Sequence, residues 1–111
     1  MTGADGFVGK AVCRRLLEAG HASRAGLLSG ALWPALQAAT PGLGEFAILG
    51  DLGARPNLNS ALENVAVVVH LAARVHIMHD DAVDPRDAYR RVNVDGTAAL
   101  ARAAAEQGVR R

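Results

Sequence analysis

Three glycines near the start of the chain, Gly3, Gly6 and Gly9 in "MTGADGFVGKAV", are spaced as a phosphate-binding loop would space them. Two chemistries use such loops. A nucleoside-triphosphate loop, G-x-x-x-x-G-K-[ST], needs a hydroxyl after its lysine to reach a magnesium ion. Here Ala11 follows Gly9-Lys10, and Ala4 stands where the first glycine belongs. The metal ligand is missing, so triphosphate hydrolysis is rejected. The second chemistry is a dinucleotide turn. G-x-x-G-x-x-G is one residue wider at its first gap than G-x-G-x-x-G. In that reading Gly3 permits the tight turn, Gly6 lets the backbone approach a pyrophosphate, and Gly9 lets the next helix pack close to a sheet. The helix N-terminus then offers unpaired N–H groups and a partial positive charge to the phosphates.

The elements that must position this turn follow from periodicity. Phe7, Val8, Ala11, Val12, Leu16 and Leu17 keep to one helical face, with Lys10, Arg14, Arg15 and Glu18 opposite and Gly20 as a stop. "HASRAGLLSG" reads as a strand poor in branched residues, and "ALWPALQAATPG" as a broken helical piece ended by Pro41-Gly42. "EFAILGDL" is a better strand, ending at Gly50-Asp51. "NLNSALENV" reads as a short helix capped by Asn59 or Ser60. "VAVVVHLAA" is the clearest strand, apolar on both faces as a buried parallel strand should be. The loop "RVHIMHDDAVD" leads into a long helix with Asp84 as N-cap, Pro85 at its first position and Gly108 as its stop. Ala88, Val92, Ala99, Leu100 and Ala103 share one face of it. Alternating strands and helices give an α/β class.

The whole chain sets limits on function. Its 111 residues make one domain or part of one, and half of them are apolar. A formal net charge of +1 gives no electrostatic case for nucleic acid or an acidic membrane surface. Cys13 is the single cysteine, which excludes an internal disulfide, and it reads as a packing residue of the first helix. There is no signal-peptide pattern and no apolar run long enough to span a bilayer, so a soluble, cytoplasmic protein is expected.

Four signatures stand in order: "TGADGFVG", "GDL" at 50–52, "HLAA" at 70–73 and "VNVDGT" at 92–97. Together they resemble the extended short-chain dehydrogenase/reductase family, in its NAD-dependent epimerase/dehydratase branch of UDP-hexose 4-epimerase-like enzymes. Residues 22 to 45 match it weakly. The resemblance implies a partial Rossmann-type, doubly wound parallel sheet with flanking helices over residues 1–111, an NAD(P)-binding domain. It further implies that Gly3, Gly6 and Gly9 form the pyrophosphate turn, with Phe7 and Val8 opening the helix. Asp51 and Leu52 would border the adenine. Leu71, Ala72 and Ala73 would lie beside the ribose and nicotinamide, and Asn93 would help order the active site. Taken alone, Asp51 reads as a turn residue after a strand, and Asn93 as a polar break in a helix face. The implied cofactor is NAD, with NADP left open. The implied substrate of the full-length protein is a nucleotide sugar, with a homodimer allowed and neither nucleic acid nor membrane as partner.

Three departures stand out. The second strand should end in an acid, for a free 2′-hydroxyl, or a basic residue, for a 2′-phosphate. Leu28 aligns there, with Arg24 upstream. Against that family's pattern, the strand before the glycine turn and the C-terminal half of the domain are expected to be missing. In the order 3-2-1-4-5-6 that strand lies mid-sheet, so its neighbours are expected to be left unpaired. Finally, the family's Tyr-x-x-x-Lys pair cannot be assembled. Tyr89 is followed four residues on by Asn93, the one lysine belongs to the glycine loop, and the chain stops at Arg111 before the next strand is expected. No catalytic residue is named, and whether the chain is an enzyme stays open. A non-catalytic dinucleotide sensor or interaction module, and a truncated product without function, remain as alternatives.

Elsewhere, His76, His79, Asp80 and Asp81 could bind a metal, but no distant third ligand accompanies them, and they read as a solvated loop. His70 reads as a packed histidine rather than a general base. No G-x-S-x-G is present to suggest a hydrolase.

Overall fold

A computed structural model of the chain describes residues 1–54, 56–75 and 84–111. Its regular sheet is a parallel pair, β1 (Arg24–Leu27) and β2 (Glu45–Ile48), with Arg24 beside Glu45 and Leu27 beside Ile48. Two residues extend that sheet beyond β1. The Met1 amine donates to the Arg24 carbonyl and the Gly26 N–H donates to the Met1 carbonyl, both at 2.7 Å. On their other side, the Thr2 N–H donates to the Val69 carbonyl (3.0 Å) and the Leu71 N–H donates to the Thr2 carbonyl (3.3 Å). The neighbours of the glycine turn are therefore not left bare, as expected, but are joined through Met1 and Thr2.

Segment 66–71 has a second edge. There the Val68 N–H donates to the Arg111 carbonyl (2.7 Å) and the Arg110 N–H donates to the Ala66 carbonyl (3.0 Å). A fifth line of the sheet thus starts at Arg110, within the chain rather than after it. The order across the sheet is β2, β1, residues 1–2, segment 66–71 and residues 110–111, which follows the 3-2-1-4-5 sequence of a Rossmann-type sheet. "VAVVVHLAA" is nevertheless not a regular strand; only His70 forms a bridge, to Thr2. Its apolar residues are suited to a buried strand, but each edge meets a partner only two residues long.

The first helix, α1 (Phe7–Glu18), is turned about its axis relative to the face its apolar spacing suggests. Gly9 and Cys13 are buried, whereas Phe7 is 96% exposed and Val8 and Ala11 also face outward. Gly9 decides this rotation. Its backbone lies against Ala4 and the Gly3 carbonyl, so the line through positions 9 and 13 must face the sheet. After Gly20 the helix stops as expected, with His21 and Gly20 N–H groups donating to the Leu16 and Leu17 carbonyls. Gly108 ends the last helix in the same way, through Val109 to Ala104 and Gly108 to Ala105.

A 3-10 turn and α2 (Trp33–Ala39) join the two strands, and α3 (Asn59–Leu62) follows β2. Neither Asn59 nor Ser60 caps α3. Both lie inside it, and the Ser60 hydroxyl donates to Asn57 at 3.4 Å. Asp84 caps α4 (Pro85–Arg90) as expected, accepting from the Asp87 N–H at 3.0 Å. The long helix is not uniform. A π-helical segment, Arg91–Gly96, separates α4 from α5 (Thr97–Glu106).

Core packing lies on both faces of the sheet. Ala4, Cys13, Ala25, Leu27, Leu36 and Leu43 fill one side, with α1 and α2. Leu49, Leu52, Leu58, Leu62, Leu100 and Ala103 fill the other, with α3 and α5. Alternation along β1 sends Ala25 and Leu27 to the first side, as strand geometry requires. No helix among the described residues is long and apolar enough to cross a membrane.

Cys13 tests the orientation of α1. Its side chain is wholly buried, and burial raises the thiol pKa, opposed by the nearby Met1 amine. Thiolate is the reactive form, so a thiol reagent such as Ellman's should label the native chain slowly and the urea-unfolded chain at once. Equal rates in both states would contradict this packing.

Candidate functional site

The C-terminal ends of the sheet strands frame a cleft of about 640 Å³. Gly3, Asp5, Gly6 and Gly9 form its floor with Phe7 and Val8. Leu27, Leu28 and residues 49–52 form one wall, and residues 71–75 form the other. Open α/β sheets bind ligands at this position, outside the carboxyl ends of the strands where the chain order reverses.

The floor is built by close approaches that side chains would block. Gly3 has φ +65, and a Cβ there would lie 2.7 Å from the Ala72 nitrogen. A Cβ on Gly9 would fall on the Gly3 carbonyl and 2.8 Å from the Ala4 Cα. The Gly6 N–H closes the turn on the Gly3 carbonyl (3.1 Å), and the Lys10 N–H begins the helix ladder on the Gly6 carbonyl (3.0 Å). No side chain caps the N-terminus of α1, and its first turn holds no acidic residue. The first N–H groups of this twelve-residue helix thus have no side-chain partner at the end whose residues Gly6, Phe7, Val8 and Gly9 line the cleft.

Of the residues singled out in the sequence, Gly3, Gly6, Phe7, Val8, Gly9, Asp51, Leu52, Leu71, Ala72 and Ala73 all line this one cleft. Asp51 is exposed there, with one carboxylate oxygen accepting from the Gly53 N–H at 2.8 Å in a local turn. Leu52 keeps most of its surface in the core against Gly96, where a Cβ would lie 2.9 Å from the Leu52 carbonyl oxygen. Asn93 stands behind the wall rather than on it. Its amide oxygen accepts from the Arg74 N–H (2.8 Å) and its amide nitrogen donates to the Arg74 carbonyl (2.9 Å). Both hydrogen-bonding groups of that backbone residue are thus held by the π segment.

Arg24 does not reach the cleft. It pairs with Glu45 at 3.1 Å and donates to the Ala61 and Glu63 carbonyls, at the opposite end of β1. Leu28 does reach it, 59% exposed and uncharged. Sequence reasoning missed Arg74 and Val92 as lining residues. Arg74, whose guanidinium lies 5.6 Å from the centre of the Tyr89 ring, was detectable as the first charge after the "HLAA" run. Val92 had no comparable signal, because only the tertiary fold brings it over Gly53. The His76, His79, Asp80 and Asp81 cluster lies outside the described residues. Among the described residues, no group of three or more His, Cys, Asp and Glu could hold a metal.

The model of the 3-beta hydroxysteroid dehydrogenase/isomerase family matches residues 1–111. The chain belongs to that family. Its curated relatives include a UDP-glucose 4-epimerase of Vibrio cholerae, 44% identical over 63 residues, which cover 57% of this chain and 19% of the relative. A "sterol demethylase protein B" of Methylococcus capsulatus is 37% identical over all 111 residues, 31% of that protein. A 2-alkyl-3-oxoalkanoate reductase of Shewanella oneidensis is 35% identical over 98 residues, covering 88% of this chain and 22% of that protein. Among solved structures, a short-chain dehydrogenase/reductase superfamily protein from Agrobacterium tumefaciens with bound NAD superposes with a TM-score of 0.71. It is 33% identical and is matched over 97% of this chain and 29% of its own. The chain therefore spans under a third of the length of these relatives. The resemblance to the short-chain dehydrogenase/reductase family and its Rossmann-type fold holds.

Asn93 carries a prediction. Asn93→Ala would leave the Arg74 N–H and carbonyl without these partners, at a cost of about 1–3 kcal/mol. Urea unfolding should show that loss, with Asn93→Asp intermediate because it keeps the acceptor. An Asn93→Ala midpoint equal to the parent's would remove the clamp from this account.

Proposed function

We propose that the chain is the cofactor-binding part of an NAD-dependent enzyme of the 3-beta hydroxysteroid dehydrogenase/isomerase family. The observation that carries this reading is the glycine floor, in which Gly3 and Gly9 leave a cradle that a Cβ at either position would fill. In this reading the N–H groups at the head of α1 hold the pyrophosphate. The exposed carboxylate of Asp51, with Leu52, borders the adenine by accepting from its amino group. Leu71, Ala72 and Ala73 face the ribose and nicotinamide, and Asn93 acts at one remove by fixing Arg74. The nicotinamide, when bound, supplies a hydride acceptor or donor. Leu28 offers neither a carboxylate for a free 2′-hydroxyl nor a cation for a 2′-phosphate, so NADP is a plausible second ligand of the same cleft.

The finer reading is a nucleotide-sugar epimerase or dehydratase, in which the full-length protein oxidises a sugar hydroxyl. The 44% identity to a UDP-glucose 4-epimerase supports it. The other relatives are named for a reductase and a sterol demethylase protein, so the cofactor part is shared among different substrates. Proton exchange at the substrate needs a Tyr-x-x-x-Lys pair, and this chain's single tyrosine and single lysine do not form one. The cytoplasm and a homodimer belong to the same proposal for the full-length protein.

Calorimetric titration of the 111-residue chain with NAD, and separately with NADP, tests the reading. Saturable binding is expected, with none in Gly9→Ala and no epimerase or dehydrogenase turnover in either. Absence of binding by a folded parent chain, or undiminished binding by Gly9→Ala, would overturn it.

A further inference from the structure

His70 is hydrogen-bonded between Thr2, just before the glycine turn, and Thr97 at the start of α5, and the surrounding hydrogen bonds favour one placement of its protons. The Thr2 hydroxyl oxygen accepts from the Leu71 N–H (3.2 Å), which is shared with the Thr2 carbonyl, and from the Ala72 N–H (3.1 Å). Those two donors occupy both of its acceptor positions, so its own hydrogen must point elsewhere. His70 Nδ1 lies 2.6 Å away and is the acceptor. On the other side of the ring, Nε2 lies 2.9 Å from the Thr97 hydroxyl, which spends its hydrogen on the Asn93 carbonyl at 2.9 Å. Thr97 must therefore accept, and Nε2 must carry the proton. The neutral Nε2–H tautomer gives a consistent set of donors and acceptors from Thr2 to Asn93.

We propose that His70 is a positioning residue of the dinucleotide cleft, which as the neutral Nε2–H tautomer ties Thr2, just before the glycine turn, to Thr97 and the Asn93 clamp behind the 71–75 wall. The proposal deepens the cofactor-binding reading and, for its effect on affinity, rests on it. An imidazolium cannot keep this arrangement. It would aim an N–H from Nδ1 at a hydroxyl oxygen already filled by Leu71 and Ala72. Breaking that contact frees the Thr2 side chain one residue before Gly3, and with it the two amides that begin the 71–75 wall.

Among the described residues, the groups hydrogen-bonded to the ring are the two hydroxyls, Thr2 from the sheet and Thr97 from α5. On the elements packed against it, the Met1 amine is bonded to the Arg24 carbonyl, and Arg91 and Asp95 of the π segment are exposed. Arg74, further along its own segment, is stacked over Tyr89. Burial lowers the His70 pKa below its ordinary value. The sign follows. Above the unfolded value near 6.5 both states are neutral and stability is complete; as pH falls toward the depressed folded value, the unfolded chain takes up a proton first and stability declines.

Nitrogen-15 NMR of the imidazole, recorded on the parent chain while pH is lowered, reads the proposal without any ligand. The expected spectrum shows the Nε2–H tautomer at neutral pH, and the amides of Gly3 and Ala72 shift with the same midpoint as the ring. A Nδ1–H tautomer, or Gly3 and Ala72 amides that ignore the ring's titration, would overturn it. In His70→Asn the side-chain oxygen can replace Nδ1 as acceptor without titrating, so the coupled amide shifts should vanish while the turn keeps its neutral-pH positions. Retention of those acid shifts in His70→Asn would also overturn it. With NAD, parent affinity should fall by up to about tenfold per pH unit below that midpoint, and His70→Asn should remove the ring's share of the fall. If NAD fails to bind at any pH while the ring and amide signals behave as described, the positioning role stands and the cofactor reading is what fails.

Discussion

Two residues hold the halves of this sheet together. Met1 bonds to β1 on one side, and Thr2 bonds to segment 66–71 on the other. The cleft walls belong to different halves: Leu28 and residues 49–52 stand on one, residues 71–75 on the other. The seam therefore sets the distance between them, and Gly3, the next residue, inherits its position from it. A net hydrogen bond is worth only about 0.5–1.5 kcal/mol, so a few of them cannot hold two halves alone. Packing does the rest. Met1 and Leu17 support the core on one face, and Val68 and Ala72 support the core on the other.

Much of this was legible in the sequence, where local chemistry decides the outcome. Asp84-Pro85 starts a helix because its carboxylate and ring suit those two positions, and Gly20 and Gly108 stop helices because the chain must turn left-handed there. The candidate cleft was legible because the glycine turn, "GDL" and "HLAA" follow the sheet segments, which the fold converges on one cleft. Tertiary contacts decided the rest. The rotation of α1 depends on Gly9 meeting Ala4, which no periodicity shows. The π segment coincides with Asn93 gripping Arg74 and Gly96 meeting Leu52, both long-range. "VAVVVHLAA" has a strand's composition, yet ladder length depends on what lies beside it.

The cleft is lined mainly by glycines and apolar side chains. In the proposed reading, glycine amides, a helix end and alanines would meet features common to all dinucleotides, which fits relatives named for an epimerase, a reductase and a sterol demethylase protein. Among the described residues, Asp5, Asp51 and Arg74 are the charged residues that line it, whereas Thr2, His70, Thr97 and Asn93 bond chiefly to one another and to backbone behind that lining.

Native-state hydrogen exchange tests the seam most directly, read at the amides of Thr2, Gly26, Val68 and Leu71. These four lie on both sides of the junction. Slow exchange of all four, with a common free energy near that of global unfolding, is the result expected of one cooperative sheet. Fast exchange at Val68 and Leu71 while Gly26 remains protected would contradict it, because the two walls would then open independently.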